Sequence, residues 1–336
     1  ATEARYVDAF FEAMSGLTTT GATVFTGLDD LPEGLNLWRG LMQWFGGIGI
    51  IVVAMVFLPE LRVGGMQIFR SEAFETMGKI LPRAAEIAKQ ISVIYLTLTV
   101  VSALTYTALG MQPFEATVHA MTSISTGGFS TTDDSFGAFQ GPLEYAAVIF
   151  MILASLPFVR YVQMVAGTAK PFFTDTQTRA YLATIAILTL FFVIYRLVVN
   201  GDQLEHGVRE AIFNVTSIIS GTGYSSTDYQ RWGPSAVVIF FFIGLIGGCA
   251  GSTSCSIKVF RYQLLMTSIS TQLKRLYAPH GIFEPRYEGR KVSEEVLSSV
   301  MAFFVLFFVS LGVFSILLGL TGLDFITSVS GAASAL

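Results

Sequence analysis

Cysteine, histidine and charge are all scarce in this 336-residue chain, and each shortage removes a class of function. Two cysteines, Cys249 and Cys255, lie in or beside an apolar stretch and supply neither a disulfide scaffold nor a cysteine-rich zinc site. Three scattered histidines, His119, His206 and His280, suggest no metal or catalytic site. Serine and threonine abound, but no apolar segment carries the matching His or Asp that a nucleophile needs, so the chain is not expected to be an enzyme. Gly46-Gly47-Ile48-Gly49 has part of the spacing of a nucleotide fingerprint, yet it sits inside an apolar run with no strand before it and reads as a close-packing site. The chain opens on the polar Ala1-Thr2-Glu3-Ala4-Arg5 rather than a basic and then apolar leader. Lacking a starting Met and stopping within a repeat, it reads as part of a longer protein.

Charged residues make up 13% of the chain, against roughly 25% in soluble proteins. Hydrophobic residues make up 52%, with 29 Phe and a mean hydropathy of +0.62, so the expected class is an all-α integral membrane protein in the lipid bilayer.

Against this background three short polar turns stand out: Thr18-Thr19-Thr20-Gly21-Ala22-Thr23, Ser125-Thr126-Gly127-Gly128-Phe129-Ser130 and Ser220-Gly221-Thr222-Gly223-Tyr224-Ser225. Aligned on Gly21, Gly128 and Gly223 without gaps, they place Met14, Met121 and Thr216 at one position and Ser15, Thr122 and Ser217 at the next. Each turn follows an amphipathic segment too short and too charged to span a bilayer, and each is followed by an acid, Asp29, Asp133 with Asp134, or Asp228. These acids are either solvated loop residues or attractors of cations.

The runs at 37–58, 91–110, 143–166, 180–200 and 297–320 are expected to cross the membrane, with Trp38 and Trp44 toward the outer interface. Half-helices are expected at 4–17, 113–124, 205–219 and 323–336. A further run from 235 is interrupted by Gly247-Gly248-Cys249-Ala250-Gly251-Ser252-Thr253-Ser254-Cys255-Ser256 before Lys258 and Arg261, and such backbone survives at membrane depth only against protein or a water-filled cavity. Arg160, after Pro157, is expected to snorkel to the inner surface, and Lys258 and Arg261 to anchor topology or touch the interruption. The organisation is therefore repeat 1 at 1–60, repeat 2 at 85–170, repeat 3 at 178–272 with a broken second span, and repeat 4 at 292–336. Linkers fill 60–85 and 273–291. The segments 60–90, 160–179 and 258–295 hold 15 of the 20 Lys and Arg, which puts them on the cytoplasmic side and the turns outside.

A dehydrated monovalent cation needs several oxygen ligands, and rings of backbone carbonyls supply them where glycine allows the dihedrals. A half-helix ending at the turn adds its negative end. With these motifs, Gly-Gly-Cys-Ala-Gly-Ser-Thr at 247–253 and Ser-Gly-Ala-Ala-Ser-Ala-Leu at 330–336, the whole chain resembles the superfamily of potassium transporters that includes TrkH and KtrB, and TrkH more than KtrB. The resemblance implies a pseudo-fourfold repeat of membrane-pore-membrane units around a central pore. It makes Gly21, Gly128 and Gly223 three of four filter glycines, with Thr19, Thr20, Thr126, Gly127, Gly221 and Thr222 giving the carbonyls just below. Gly21 favours potassium as the transported ion over sodium, the alternative within the superfamily. The fourth filter strand and the last span are absent from these residues. A gate loop is implied at Gly247, Gly248, Gly251, Ser252, Thr253, Ser254 and Ser256, although Ser254-Cys255-Ser256 stands where the family often has Ala-Gly-Gly. Also implied are a homodimer in the bacterial inner membrane and a cytoplasmic nucleotide-binding regulatory subunit of the TrkA type, docking near 60–89 and 274–291. No organic cofactor and no nucleic acid are expected.

Overall fold

The computed structural model describes residues 4–56 and 81–336. Of the linker expected at 60–85, residues 60–80, with Arg62, Arg70 and Lys79, lie outside the described residues. From Leu81 the chain is helical.

The chain forms two compact units, Ala1–Ile51 with Lys89–Ser256, and Val52–Ala88 with Ile257–Leu336. The first holds α1 (Tyr6–Leu17), most of α2 (Glu33–Val56) and α3 (Leu81–Ala108), and α4 (Pro113–Ile124). It continues through α5 (Pro142–Ala154), α6 (Phe158–Val165), α7 (Lys170–Thr174), α8 (Thr176–Tyr195), α9 (Leu204–Ser220) and α10 (Pro234–Gly244). The second holds α11 (Val259–Tyr277), α12 (Glu294–Leu320) and α13 (Phe325–Ala335). Its two-stranded hairpin, β1 (Arg286–Tyr287) antiparallel to β2 (Arg290–Lys291), sits in the basic linker expected at 273–291.

Local chemistry sets the boundaries. Pro113, Pro142 and Pro234 open α4, α5 and α10, where a missing N–H costs nothing. Asp175 caps α8 by accepting from Thr178 N at 2.9 Å, and Ser293 and Asp324 cap α12 and α13 in the same way. Gly221 ends α9 in the left-handed conformation.

Among the described residues three helical segments are long and apolar enough to cross a membrane: 88–108, 176–200 and 294–320, with mean hydropathies of 1.6, 2.4 and 2.7. Most of their surface is left for lipid, as at Leu190 and Leu306. Helix α2 takes in 37–56 of the span expected at 37–58, whose last two residues lie outside the described ones, and is about 36 Å long at 1.5 Å per residue. The Trp44 indole donates to Thr99 Oγ1 on α3 at 2.9 Å.

The span expected at 143–166 is broken. Helices α5 and α6 meet at 87° across Ser155-Leu156-Pro157, because Pro157 cannot continue the hydrogen-bond ladder. Arg160, beyond the break, forms an ion pair with Asp175 at 2.7 Å.

Candidate functional site

The three glycine turns share one backbone. Left-handed residues alternate with residues of negative φ: Thr19 and Gly21 at φ 57° and 79°, Thr126 and Gly128 at 50° and 76°, Gly221 and Gly223 at 77° and 79°. Alternating hand turns successive carbonyls to the same side of the strand. Threonine is an outlier in this region, and such strain persists only where the surroundings over-determine it. Each turn is tied to its own helix: Thr20 N donates to Ser15 O at 3.0 Å, Gly127 N to Thr122 O at 2.9 Å and Gly223 N to Ser217 O at 3.2 Å.

The turns also approach one another in order. A Cβ on Gly21 would overlap the Gly127 carbonyl oxygen, and one on Gly128 would overlap that of Thr222. Glycine is therefore required at these two positions by close approach as well as by φ. The structure thus brings all nine sequence-predicted carbonyl residues into three adjacent strands.

Behind the strands lies a set of braces that the aligned positions almost revealed. Ser15 Oγ donates to Ala22 O at 2.5 Å and Ser217 Oγ to Tyr224 O at 2.7 Å, the same seven-residue reach in repeats 1 and 3. Thr122 instead donates to Val118 O at 3.1 Å and is hydrogen-bonded to the Tyr224 hydroxyl, so the third turn is latched to the second half-helix. Two residues before each aligned Met14, Met121 and Thr216 stand Glu12, His119 and Asn214. Glu12 accepts from Thr23 Oγ1 at 2.9 Å and Val24 N at 3.1 Å; His119 Nε2 meets Ser130 Oγ at 3.1 Å; Asn214 Nδ2 donates to Ser226 Oγ at 3.0 Å. His119 Nδ1 lies 2.9 Å from Glu115 O, which places the proton on Nδ1 and leaves Nε2 to accept from Ser130. One structural position is thus filled by three chemistries, which a search for identical residues passes over.

Helix α2 contributes one face to the first two turns. Arg39, fully buried, pairs with Glu12 at 2.8 Å, donates to Ser130 O at 2.9 Å and lies over the Phe129 ring. Gln43 Nε2 donates to Gly127 O at 2.7 Å and its Oε1 accepts from Phe129 N at 3.0 Å. A Cβ on Gly46 would overlap Leu17 O, and one on Gly47 would crowd Ser125 and the Tyr95 hydroxyl, in keeping with the close-packing reading of this glycine run.

The interruption at 247–256 is ordered by the break in the α5–α6 pair. Cys249 N donates to Ser155 O at 3.0 Å, Thr253 Oγ1 to Ala154 O at 3.0 Å, and Phe158 N returns a bond to Gly251 O at 3.0 Å. The carbonyls left over where α5 ends are the loop's acceptors. Ala250 N donates to Gln177 Oε1 on α8 at 2.9 Å. Inside the loop, Gly248 N donates to Ser254 Oγ at 2.7 Å, Ser252 Oγ to Cys249 O at 2.7 Å, and Ser256 Oγ to Gly244 O at 2.8 Å, while a Cβ on Gly247 would overlap Cys255 O. The exposed Cys255 thiol lies 3.9 Å from Gly221 O, so the loop abuts the third turn. Arg261 and Lys258 belong to the second unit, where Arg261 is stacked on Phe303 at 3.8 Å.

The four acids do not converge on a point. Asp133 accepts from Gly27 N at 2.7 Å and Leu28 N at 3.0 Å, and its own N–H donates to Asp29 at 3.2 Å. Those backbone donors hold the Asp133 carboxyl below its ordinary pKa. Asp228 caps Gln230 N and pairs with Arg231 at 3.2 Å; Asp134 is exposed. Among the described residues no group of His, Cys, Asp and Glu could hold a metal ion, and the oxygens gathered by the three turns are carbonyls.

A family described as TrkH, cation transport protein, matches residues 1–336. The chain is 41% identical over 330 residues to the Trk system potassium uptake protein TrkI of Halomonas elongata, covering 98% of this chain and 67% of that protein. It is 36% identical over 338 residues to TrkH of Vibrio parahaemolyticus, covering 98% and 69%. The crystal structure of the potassium transporter TrkH from Vibrio parahaemolyticus superimposes with a TM-score of 0.91 at 34% identity, over 98% of this chain and 69% of that one. The chain thus spans about two thirds of the length of these relatives.

Proposed function

This chain belongs to the TrkH family of cation transport proteins, and from that premise we propose that it carries potassium across the bacterial inner membrane through a filter of backbone carbonyls. The observation that carries this reading is the meshing of the strands: Gly21 against the Gly127 carbonyl and Gly128 against that of Thr222, each strand alternating in hand. Oxygens held by scaffold contacts on neighbouring strands can replace a hydration shell without fixed charge. The ligands are the carbonyls of Thr19, Thr20, Gly21, Thr126, Gly127, Gly128, Gly221, Thr222 and Gly223. Half-helices α1, α4 and α9 direct their negative ends toward them. The Gly247–Ser256 loop, abutting Gly221 through Cys255, is the gate.

On this reading the turns face the periplasm, where Asp29, Asp133, Asp134 and Asp228 draw cations to the mouth. The subunit forms a homodimer, and a cytoplasmic nucleotide-binding regulatory subunit of the TrkA type docks on the basic linker. The names of the relatives, all Trk system potassium uptake proteins, support the ion.

The test is potassium flux into proteoliposomes bearing the purified full-length protein, wild type against Gly128→Ser. At φ 76°, with the Thr222 oxygen in the way, the added side chain cannot be accommodated in place. Flux is expected to fall by at least about tenfold, the effect of some 1.4 kcal/mol. Unchanged flux and selectivity in the variant would overturn the filter.

A further inference from the structure

The central residue of the second turn differs from its counterparts. Where that turn has Gly127, the others have Thr20 and Thr222. Each of these threonines hydrogen-bonds the hydroxyl two residues before it, Thr20 to Thr18 at 2.8 Å and Thr222 to Ser220 at 2.7 Å. In the second turn Ser125 holds the equivalent place and donates to Thr122 O at 3.3 Å, as Ser220 does to Ser217 O at 3.0 Å, but it meets no hydroxyl at Gly127, which has no side chain.

The space beside Gly127 is nevertheless filled. A Cβ there would overlap the carboxamide of Gln43, which α2 delivers from the preceding repeat. Gln43 is completely buried. Its Nε2 donates to the Gly127 carbonyl at 2.7 Å and its Oε1 accepts from Phe129 N at 3.0 Å, so the two bonds straddle Gly128. The Gly127 oxygen is also the atom packed against Gly21 in the first strand. One side chain therefore sets where this oxygen sits relative to both strands.

We propose that Gln43 is a positioning residue for cation selectivity: a carboxamide supplied from the neighbouring repeat that takes the place of the threonine side chain missing at Gly127 and sets the direction and field strength of the Gly127 carbonyl. The inference rests on the reading of the turns as a cation filter. Selectivity among monovalent cations depends on the number, spacing and field strength of the carbonyls facing the ion. An N–H bonded to the Gly127 oxygen draws electron density from it and restricts its rotation. Loss of that bond frees a flexible glycine peptide to turn toward a smaller ion.

The experiment measures reversal potentials in mixed potassium and sodium across bilayers containing the full-length protein, with size exclusion and thermal melts run on every variant. Gln43→Met keeps the volume and removes both hydrogen bonds; Gln43→Glu turns a carboxylate on the Gly127 oxygen. Both are expected to lower the potassium to sodium permeability ratio by about tenfold, the equivalent of one net hydrogen bond of about 1.4 kcal/mol, while ions still pass. Gly127→Thr alone should abolish flux by collision with Gln43. The double variant Gln43→Ala with Gly127→Thr should recover flux and most of the ratio, since the threonine then enters the vacated space. An unchanged ratio in both single variants, or a double variant no better than Gly127→Thr alone, overturns the proposal. A wild-type protein that passes no potassium overturns instead the filter reading on which it stands.

Discussion

At the scale of single residues, the buried ions around the turns do structural work. Arg39 and Glu12 are each almost wholly buried and satisfy each other; removing one partner of such a pair typically costs about 3–5 kcal/mol because the other is left uncompensated. Asp133 behaves differently, since it is exposed and its partners are backbone amides. Its carboxyl is held below the ordinary value, so its contribution is complete above the unfolded pKa of about 3.9 and fades as pH falls through the folded value. Thermal melts should therefore show Asp133→Asn below wild type at pH 7, by at most about 2–4 °C, with the difference constant to about pH 5 and vanishing under strong acid. A gap that widens in acid would refute this account of the loop.

At the scale of elements, the broken α5–α6 pair and the interrupted α10–α11 segment are two halves of one feature. The end of α5 at the break leaves the Ala154 and Ser155 carbonyls without helical partners, and the glycine-serine loop supplies the donors that satisfy them. Ser254 and Ser256 add hydroxyl ties to this loop at Gly248 and Gly244. If the loop is the gate, weakening its anchorage should raise basal flux. Thr253→Val deletes the Oγ1 bond to Ala154 O, and a loss of about 1 kcal/mol shifts an open to closed equilibrium roughly fivefold. Flux at saturating potassium should rise by about that factor; an unaltered rate would mean that the loop does not gate.

At the scale of the whole molecule, the basic residues fall into two groups along the sequence. Of the five basic residues outside 60–90, 160–179 and 258–295, Arg39, Arg196 and Arg209 are buried against Glu12, Glu210 with Asp202, and Glu144. The elements around the turns therefore present little free positive charge; within the second unit Lys274 and Arg286 line a cavity of about 380 Å³ beside the hairpin. Charge reversal at Lys274 and Arg275 should abolish capture of the cytoplasmic regulatory subunit in a pull-down and leave potassium flux of the isolated protein intact. Capture that survives the reversal would move the docking surface elsewhere.

The residues alone determined the all-α membrane class, the four half-helices and the three turns, because these follow from apolar run length, helical spacing and glycine's access to positive φ, all local properties. Even the repeat register was legible, and carrying it two residues further back would have exposed Glu12, His119 and Asn214. What only the tertiary structure decided was how the turns are held: Gln43 on Gly127 and Phe129, Arg39 on Ser130, Tyr224 on Thr122 and the loop on Ala154. These bonds join residues 84 to 102 positions apart, and their side chains differ from repeat to repeat. No periodicity records such pairings, since a buried carbonyl can be satisfied by any donor that the fold delivers to it.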